Sequence, residues 1–269
     1  MSVSIADRRA RFRELHAREQ LFLMPNPWDV GSARLLESLG FEALATTSAG
    51  FAWSIGKLDQ AVTRDELIDH VASLVGVTSV PLNVDSERCY PNDPGGVAAT
   101  VALLAEAGAA GFSIEDYDPA TGAVDAIDVA AERVAIAAEA NHRLDAPMVL
   151  TGRAENHIRG VDDLDDTIAR LVAYRDSGAD AVYAPGLSDV DQIAAVVAAV
   201  GVPLNALLLL NGPTVAELGS VSVRRVSTGS ALASAAYGAL VAGTRQLLHD
   251  GTRYTETAVS GDELGVAFS

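Results

Sequence analysis

Only one of the 269 residues is a cysteine and only one a lysine. The lone Cys89 rules out an internal disulfide framework and fits a reducing cytoplasm. The lone Lys57 sits in a Gly-Lys-Leu-Asp loop, a poor place for a buried amine of lowered pKa. That argues against lysine-based aldolase and pyridoxal-phosphate chemistry. No apolar run reaches the ~18 residues needed to span a bilayer. The first twenty residues are charged and helical in pattern, with no signal-peptide core. Positive charge is scarce as well: a net charge of −17 disfavours nucleic acid and anionic membranes as partners. An anionic substrate would therefore need a local positive centre, a metal or an arginine.

What is abundant is apolar sequence, 49% of the chain with a mean hydropathy of +0.21, ample for a buried core. After a surface helix over 4–19, the chain repeats one beat. Strands are expected at 21–24, 43–48, 81–85, 111–116, 147–152, 180–184, 203–208 and 223–228. Helices follow at 29–39, 64–76, 95–107, 127–142, 162–177, 189–199, 213–219 and 230–249. Gly40, Gly108, Gly178 and Gly201 fall between a helix and the next strand, where a left-handed C-cap is wanted. The strands are unbroken apolar runs, as parallel strands covered on both faces are. Eight βα units in this length give a (β/α)8 TIM barrel in a single domain spanning 1–269, with 250–269 a polar C-terminal tail. A doubly wound open sheet is the alternative, but no Gly-x-Gly-x-x-Gly turn follows any strand.

A barrel's active site lies at the C-terminal ends of its strands. Those ends carry Thr46 to Gly50, Asp85 with Glu87, Glu115-Asp116, Arg153 with Glu155 and His157, Tyr183, Asn205, and Ser227 to Gly229, with Asp59 on the second βα loop. Asp85, Glu87 and Glu115 close neighbouring strands of a βαβ unit, whose crossover brings both ends to one edge. Converging carboxylates repel and need a proton, a basic partner or a cation; a hard divalent cation with oxygen ligands suits them. One isolated acid such as Asp85 could instead cap a helix or pair with an arginine. Arg153 could be a structural partner of Glu115. His16, His70, His142 and His249 fall on helices away from the site, and no histidine stands beside Cys89 to activate it.

At these residues the sequence resembles the isocitrate lyase/phosphoenolpyruvate mutase superfamily, mutase-like branch, from about Asn26 to Leu248. Asn26-Pro-Trp-Asp-Val-Gly-Ser-Ala-Arg34 is similar to its opening loop and helix. Ala45-Thr-Thr-Ser-Ala-Gly50 with Gly56-Lys-Leu-Asp59 is similar to its substrate loop and metal-shell aspartate. Val84-Asp-Ser-Glu87 stands where the family has Asp-x-Asp. Ile114-Glu-Asp116, Thr151-Gly-Arg153 and Glu155-Asn-His-Ile-Arg-Gly160 resemble its later motifs. The resemblance implies a barrel whose last helix is swapped between subunits in a dimer or tetramer, and a Mg²⁺ cofactor, with Mn²⁺ as substitute. It implies that Asp85 binds the metal while Asp59, Glu87 and Glu115 hold its waters. Arg153 and the Thr47-Ser48-Ala49 backbone would hold the substrate, with Asn205 beside them. Arg153, Glu115 and Asp59 would stand closest to the chemistry.

The departures narrow the substrate. The lyases carry Lys-Lys-Cys-Gly-His after Glu-Asp; here Tyr117 to Ala123 contains no lysine, cysteine or histidine. The resemblance therefore implies a lyase acting on a small 2-oxo dicarboxylic acid through a metal-stabilised enolate, by oxaloacetate-like decarboxylation or other C–C cleavage. The alternatives are C–P chemistry on a phosphonopyruvate-like substrate and a catalytically weak 2-oxo-acid binder.

Overall fold

A computed structural model describes residues 3–249, 251 and 258–269. In chain order the elements are α1 (Ile5–Ala17), β1 (Phe22–Met24), α2 (Val30–Ser38), β2 (Leu44–Ala45), α3 (Ser48–Ser54), α4 (Arg64–Val75), β3 (Leu82–Asp85) and α5 (Gly96–Glu106). They continue with β4 (Gly111–Glu115), β5 (Tyr117–Asp118), β6 (Ala123–Val124), α6 (Ile127–His142), β7 (Val149–Arg153), α7 (Leu164–Asp176), β8 (Ala181–Tyr183) and α8 (Val190–Val200). Last come β9 (Leu204–Leu207), α9 (Val215–Ser220), β10 (Arg225–Ser227), α10 (Ala231–His249) and α11 (Gly261–Phe268).

Eight strands pair in parallel in the order β1-β10-β9-β8-β7-β4-β3-β2, a (β/α)8 barrel. The seam between β1 and β2 is closed by one backbone bond, Ala45 N–H to the Pro25 carbonyl at 3.1 Å. Asn26 staples the same seam. Its amide donates to the Thr46 carbonyl at 2.8 Å, and its Oδ1 accepts from the Thr228 and Gly229 N–H groups at 2.8 and 2.9 Å. Deleting that side chain would orphan three backbone groups at the ends of β2 and β10. The four helix-ending glycines all have positive φ, Gly178 the largest at +102°, which a Cβ would strain.

The helix expected at the surface over 4–19 lies there, with one face, Arg9, Phe12, Leu15 and His16, buried as a plug. Phe12 is fully buried with Phe22, Met24, Ala45 and Val149 at the N-terminal end of the barrel. Its charges are reconciled because Arg9 donates to the carbonyls of Ala105, Ala109 and Ala146 at 2.7–2.9 Å. Above this plug the barrel turns polar, with Asn83, Ser113, Thr151, Asn205, Arg225 and Ser227 all buried, where a barrel usually packs branched aliphatics.

Three further differences matter. The second strand is only two residues, and Ser48 to Ser54 coil into α3, capped by Thr47 Oγ1 accepting from Gly50 N–H. The loop after Glu115-Asp116 forms the antiparallel β5–β6 hairpin. In the expected tail, residues 250 and 252–257 lie outside the described residues, while α11 packs on α2 with Arg34 over the Phe268 ring. Helix α10 buries only Ala233 and exposes Leu240, Val241, Leu247 and Leu248. No helix among the described residues is long and apolar enough to cross a membrane.

Candidate active site

The C-terminal mouth of the barrel opens on a cavity of about 220 Å³. Strand register delivers its chemistry. Asp85 pairs with Ser113 across β3–β4, and Glu115 with Arg153 across β4–β7, so both acids and the arginine face one interior. Arg153 Nη1 lies 3.3 Å from Asp85 and 3.4 Å from Glu115, and Nε donates to Glu155 at 2.6 Å. The guanidinium also sits 5.2 Å over the Tyr183 ring. Its Nη2 has no hydrogen-bond partner among the described residues, so one arm of the fork faces the cavity.

The remaining acids crowd the same edge. Glu87 follows Asp85 at φ +50°, a left-handed turn that aims its buried carboxyl back toward the site and leaves Oε1 without a partner. Burial, then Asp85 and Asp59, push the Glu87 carboxyl up to about 8. Burial raises Glu115 well above the carboxylate range, with Arg153 opposing it. Asp59 is raised by partial burial and by Asp85. The Ser48 N–H reaches Asp85 Oδ2 at 3.3 Å, and the Thr46 hydroxyl accepts from Asp85 N–H at 2.8 Å. Ala49 presents a first-turn N–H with no intrahelical partner.

The acids are held from behind. Asp116 is fully buried; its Oδ1 accepts from Glu155 N–H at 2.8 Å, and its Oδ2 from Tyr174 at 2.6 Å and Arg170 at 3.1 Å. Glu155, itself buried, accepts from Arg153 and Arg159, and Arg159 lies 3.3 Å over the Tyr117 ring of the hairpin. The hairpin is pinned further by Arg88, bound to Asp118 at 3.0 Å and Asp125 at 2.9 Å.

Asp59, Asp85 and Arg153 share the main cavity with Thr47, Ser48, Ala49 and Asn205, and Glu115 ion-pairs with Arg153 beneath it. Glu87 stands one shell back, in an adjoining crevice with Asp85. His157 bonds Asp162 at 3.0 Å, outside the cavity, while burial raises the Cys89 thiol to about 12, useless as a nucleophile. Lys57 is tied to Glu66. Two residues escaped the sequence reading. Gln60, at φ +65°, donates to Glu115 Oε1 at 3.0 Å and leaves its own Oε1 buried without a partner. Arg225 lines the cavity floor, where Val-Arg-Arg-Val reads as any strand edge. Strand alternation from Ser227 was the one signal that could have turned it inward. His16, expected away from the site, meets Arg225 at 3.1 Å.

The donor set fits a hard divalent cation in one form only. Among the described residues no three acids or histidines converge closely enough to chelate an ion directly. One carboxylate with water-bridged neighbours is the arrangement Mg²⁺ tolerates, and the orphaned Glu87 and Gln60 oxygens are acceptors left over for such waters.

The phosphoenolpyruvate phosphomutase family model matches residues 12–248. An oxaloacetate decarboxylase of Paraburkholderia xenovorans is 34% identical over 234 residues, 83% of this chain and 75% of that one. A crystallised candidate lyase/mutase from Burkholderia cenocepacia superposes with a TM-score of 0.93 at 48% identity, covering 98% of this chain and 96% of that one. Oxaloacetate acetylhydrolase in complex with its product oxalate superposes with a TM-score of 0.86 at 27% identity, covering 97% and 94%. With a barrel of this order and these acids at its strand ends, the chain belongs to the phosphoenolpyruvate mutase/isocitrate lyase superfamily.

Proposed function

We propose that this protein is a divalent-cation-dependent lyase that breaks the C3–C4 bond of a small 2-oxo dicarboxylic acid, an oxaloacetate-like decarboxylase. The observation that carries the reading is the pairing of a retained acid–arginine centre with a loop that lacks lysine, cysteine and histidine. Arg153 stands 3.3 Å from Asp85 and 3.4 Å from Glu115, while the hairpin after Asp116 offers no lysine, cysteine or histidine. Loss of carbon dioxide needs an electron sink rather than a base, so this is the reaction such a site can still run.

The cation, with Mg²⁺ preferred and Mn²⁺ as substitute, would be held by Asp85 directly and through waters by Asp59, Glu87 and Glu115. When bound it supplies a Lewis acid beside the 2-oxo group. The chain's own part is orientation and charge. Arg153 directs its free Nη2 into the cavity, and Ala49 adds an unpaired backbone N–H from α3. Both are donors fixed in advance for an oxygen that gains charge as the C3–C4 electron pair moves toward the carbonyl. The relatives' names favour the same reading, since an oxaloacetate decarboxylase and an oxaloacetate acetylhydrolase stand among them. The unpacked α10 suits exchange with a second subunit in a dimer or tetramer.

A panel of oxaloacetate, other 2-oxo diacids and phosphonopyruvate, assayed with Mg²⁺ and with EDTA, tests this. Pyruvate released from oxaloacetate and abolished by EDTA is the expected result. Turnover of phosphonopyruvate alone would move the protein to C–P chemistry, and binding without turnover would make it a 2-oxo-acid binder.

A further inference from the structure

The interior below the acid cluster holds a second arginine in a different electrostatic state. Arg153 is surrounded by Asp85, Glu115 and Glu155. Arg225, 2% exposed, has no ion pair among the described residues. Its partners are neutral: Nε donates to Asn205 Oδ1 at 2.9 Å, Nη2 to Thr151 Oγ1 at 3.1 Å, and Nη1 to His16 Nε2 at 3.1 Å. His16 Nδ1 lies 2.7 Å from the Phe12 carbonyl, which takes only a proton, so Nε2 carries the lone pair. Burial lowers His16 to about 3 and Arg225 to about 10, leaving the imidazole neutral and the guanidinium charged at neutral pH.

Three of the five guanidinium N–H groups are thus used, and a buried unpaired charge is costly unless something answers it. Arg225 also fixes Asn205. Because a guanidinium only donates, the amide must turn its oxygen to Arg225 and its nitrogen to Ser227 Oγ at 2.9 Å, at the cavity wall. Asn83 Oδ1, on the lining of the same cavity, is buried without a partner. The mouth crowds Asp59, Asp85, Glu87 and Glu115 around the single arginine Arg153, which already ion-pairs with two of them, so a second substrate carboxylate would gain from a positive charge elsewhere in the cavity.

We propose that Arg225 selects substrates carrying a second carboxylate, both as the unpaired positive charge under the cavity and as the positioning residue that aims the Asn205 amide. This deepens the 2-oxo diacid reading and rests on it. The test is calorimetric binding, with Mg²⁺ present, of 3,3-difluorooxaloacetate and of pyruvate, which shares the 2-oxo head but lacks the distal carboxylate. Wild-type protein should bind the diacid on the order of 10²-fold tighter. Arg225→Met should erase that preference and leave pyruvate affinity within about threefold. Asn205→Asp supplies a carboxylate where Oδ1 now sits, 2.9 Å from Nε, so it should keep or raise the thermal midpoint yet lose the preference. It decides the matter if Arg225→Met does not fold. An unchanged preference in Asn205→Asp, or equal losses for both acids in Arg225→Met, would overturn the inference. Wild-type protein that binds neither acid would overturn the 2-oxo-acid reading itself, and this inference with it.

Discussion

Arg153 joins three carboxylates that belong to two different tasks. Glu155 fixes its Nε at 2.6 Å from behind, while Asp85 and Glu115 stand at 3.3–3.4 Å in front. The remaining arm is the one a substrate oxygen can use. Arg153→Lys keeps the charge but loses the paired donors, so kcat/KM should fall about 10²–10³-fold while the thermal midpoint moves little. Near-native activity with a large loss of stability would return Arg153 to a purely structural role. Glu87 gives a pH signature. Its folded pKa of about 8 lies above the ordinary carboxylate value, so between those two values the folded state binds the extra proton. Without metal, stability should decline as pH rises through this window. A cation needs the ionised form, so Mg²⁺ should raise the melting temperature more at pH 8 than at pH 6. Equal Mg²⁺ effects at both pH values would detach Glu87 from the metal shell.

At the scale of elements, Asp116 ties the ends of β4 and β7 to α7 through Glu155 N–H, Tyr174 and Arg170. Asp116→Asn removes the buried charge that accepts from Tyr174 and Arg170, leaving Arg170 its Asp166 pair and the Asp125 carbonyl, and breaking such a buried pair costs about 3 kcal/mol. Urea denaturation should show that loss, and activity should fall with it because Glu155 carries Arg153. A shift under about 0.5 kcal/mol would mean solvent replaces the hub. The same elements show what the sequence could and could not disclose. The eight strands were legible because doubly covered parallel strands are unbroken apolar runs, and Asp85, Glu115 and Arg153 end them. Helix α3 was not, because Thr-Thr-Ser-Ala-Gly-Phe-Ala has small residues that suit a turn as well as a capped helix. The β5–β6 hairpin owes its form to arginines distant in sequence, Arg88 and Arg159. Arg225 was hidden because its inward direction depends on register against Asn205, which composition does not encode.

For the molecule as a whole, a closed barrel has a rigid mouth and one poorly covered flank. Helix α10 leaves Leu240, Val241, Leu247 and Leu248 exposed, and Leu23 on β1 is 38% exposed, more apolar surface than an isolated barrel needs to show. Exchange of α10 between subunits would cover both, so light scattering at micromolar concentration should give a dimer or tetramer; a monomer would exclude the exchange. The central claim concerns the cation at Asp85, and the Mg²⁺ dependence of oxaloacetate decarboxylation in wild-type protein and in Asp85→Ala tests it most directly. The wild type should show saturable activation by Mg²⁺ that EDTA removes, while a folded Asp85→Ala should stay at the enzyme-free background rate at every Mg²⁺ concentration. Saturable, Mg²⁺-activated turnover by Asp85→Ala at near wild-type rate would contradict the account.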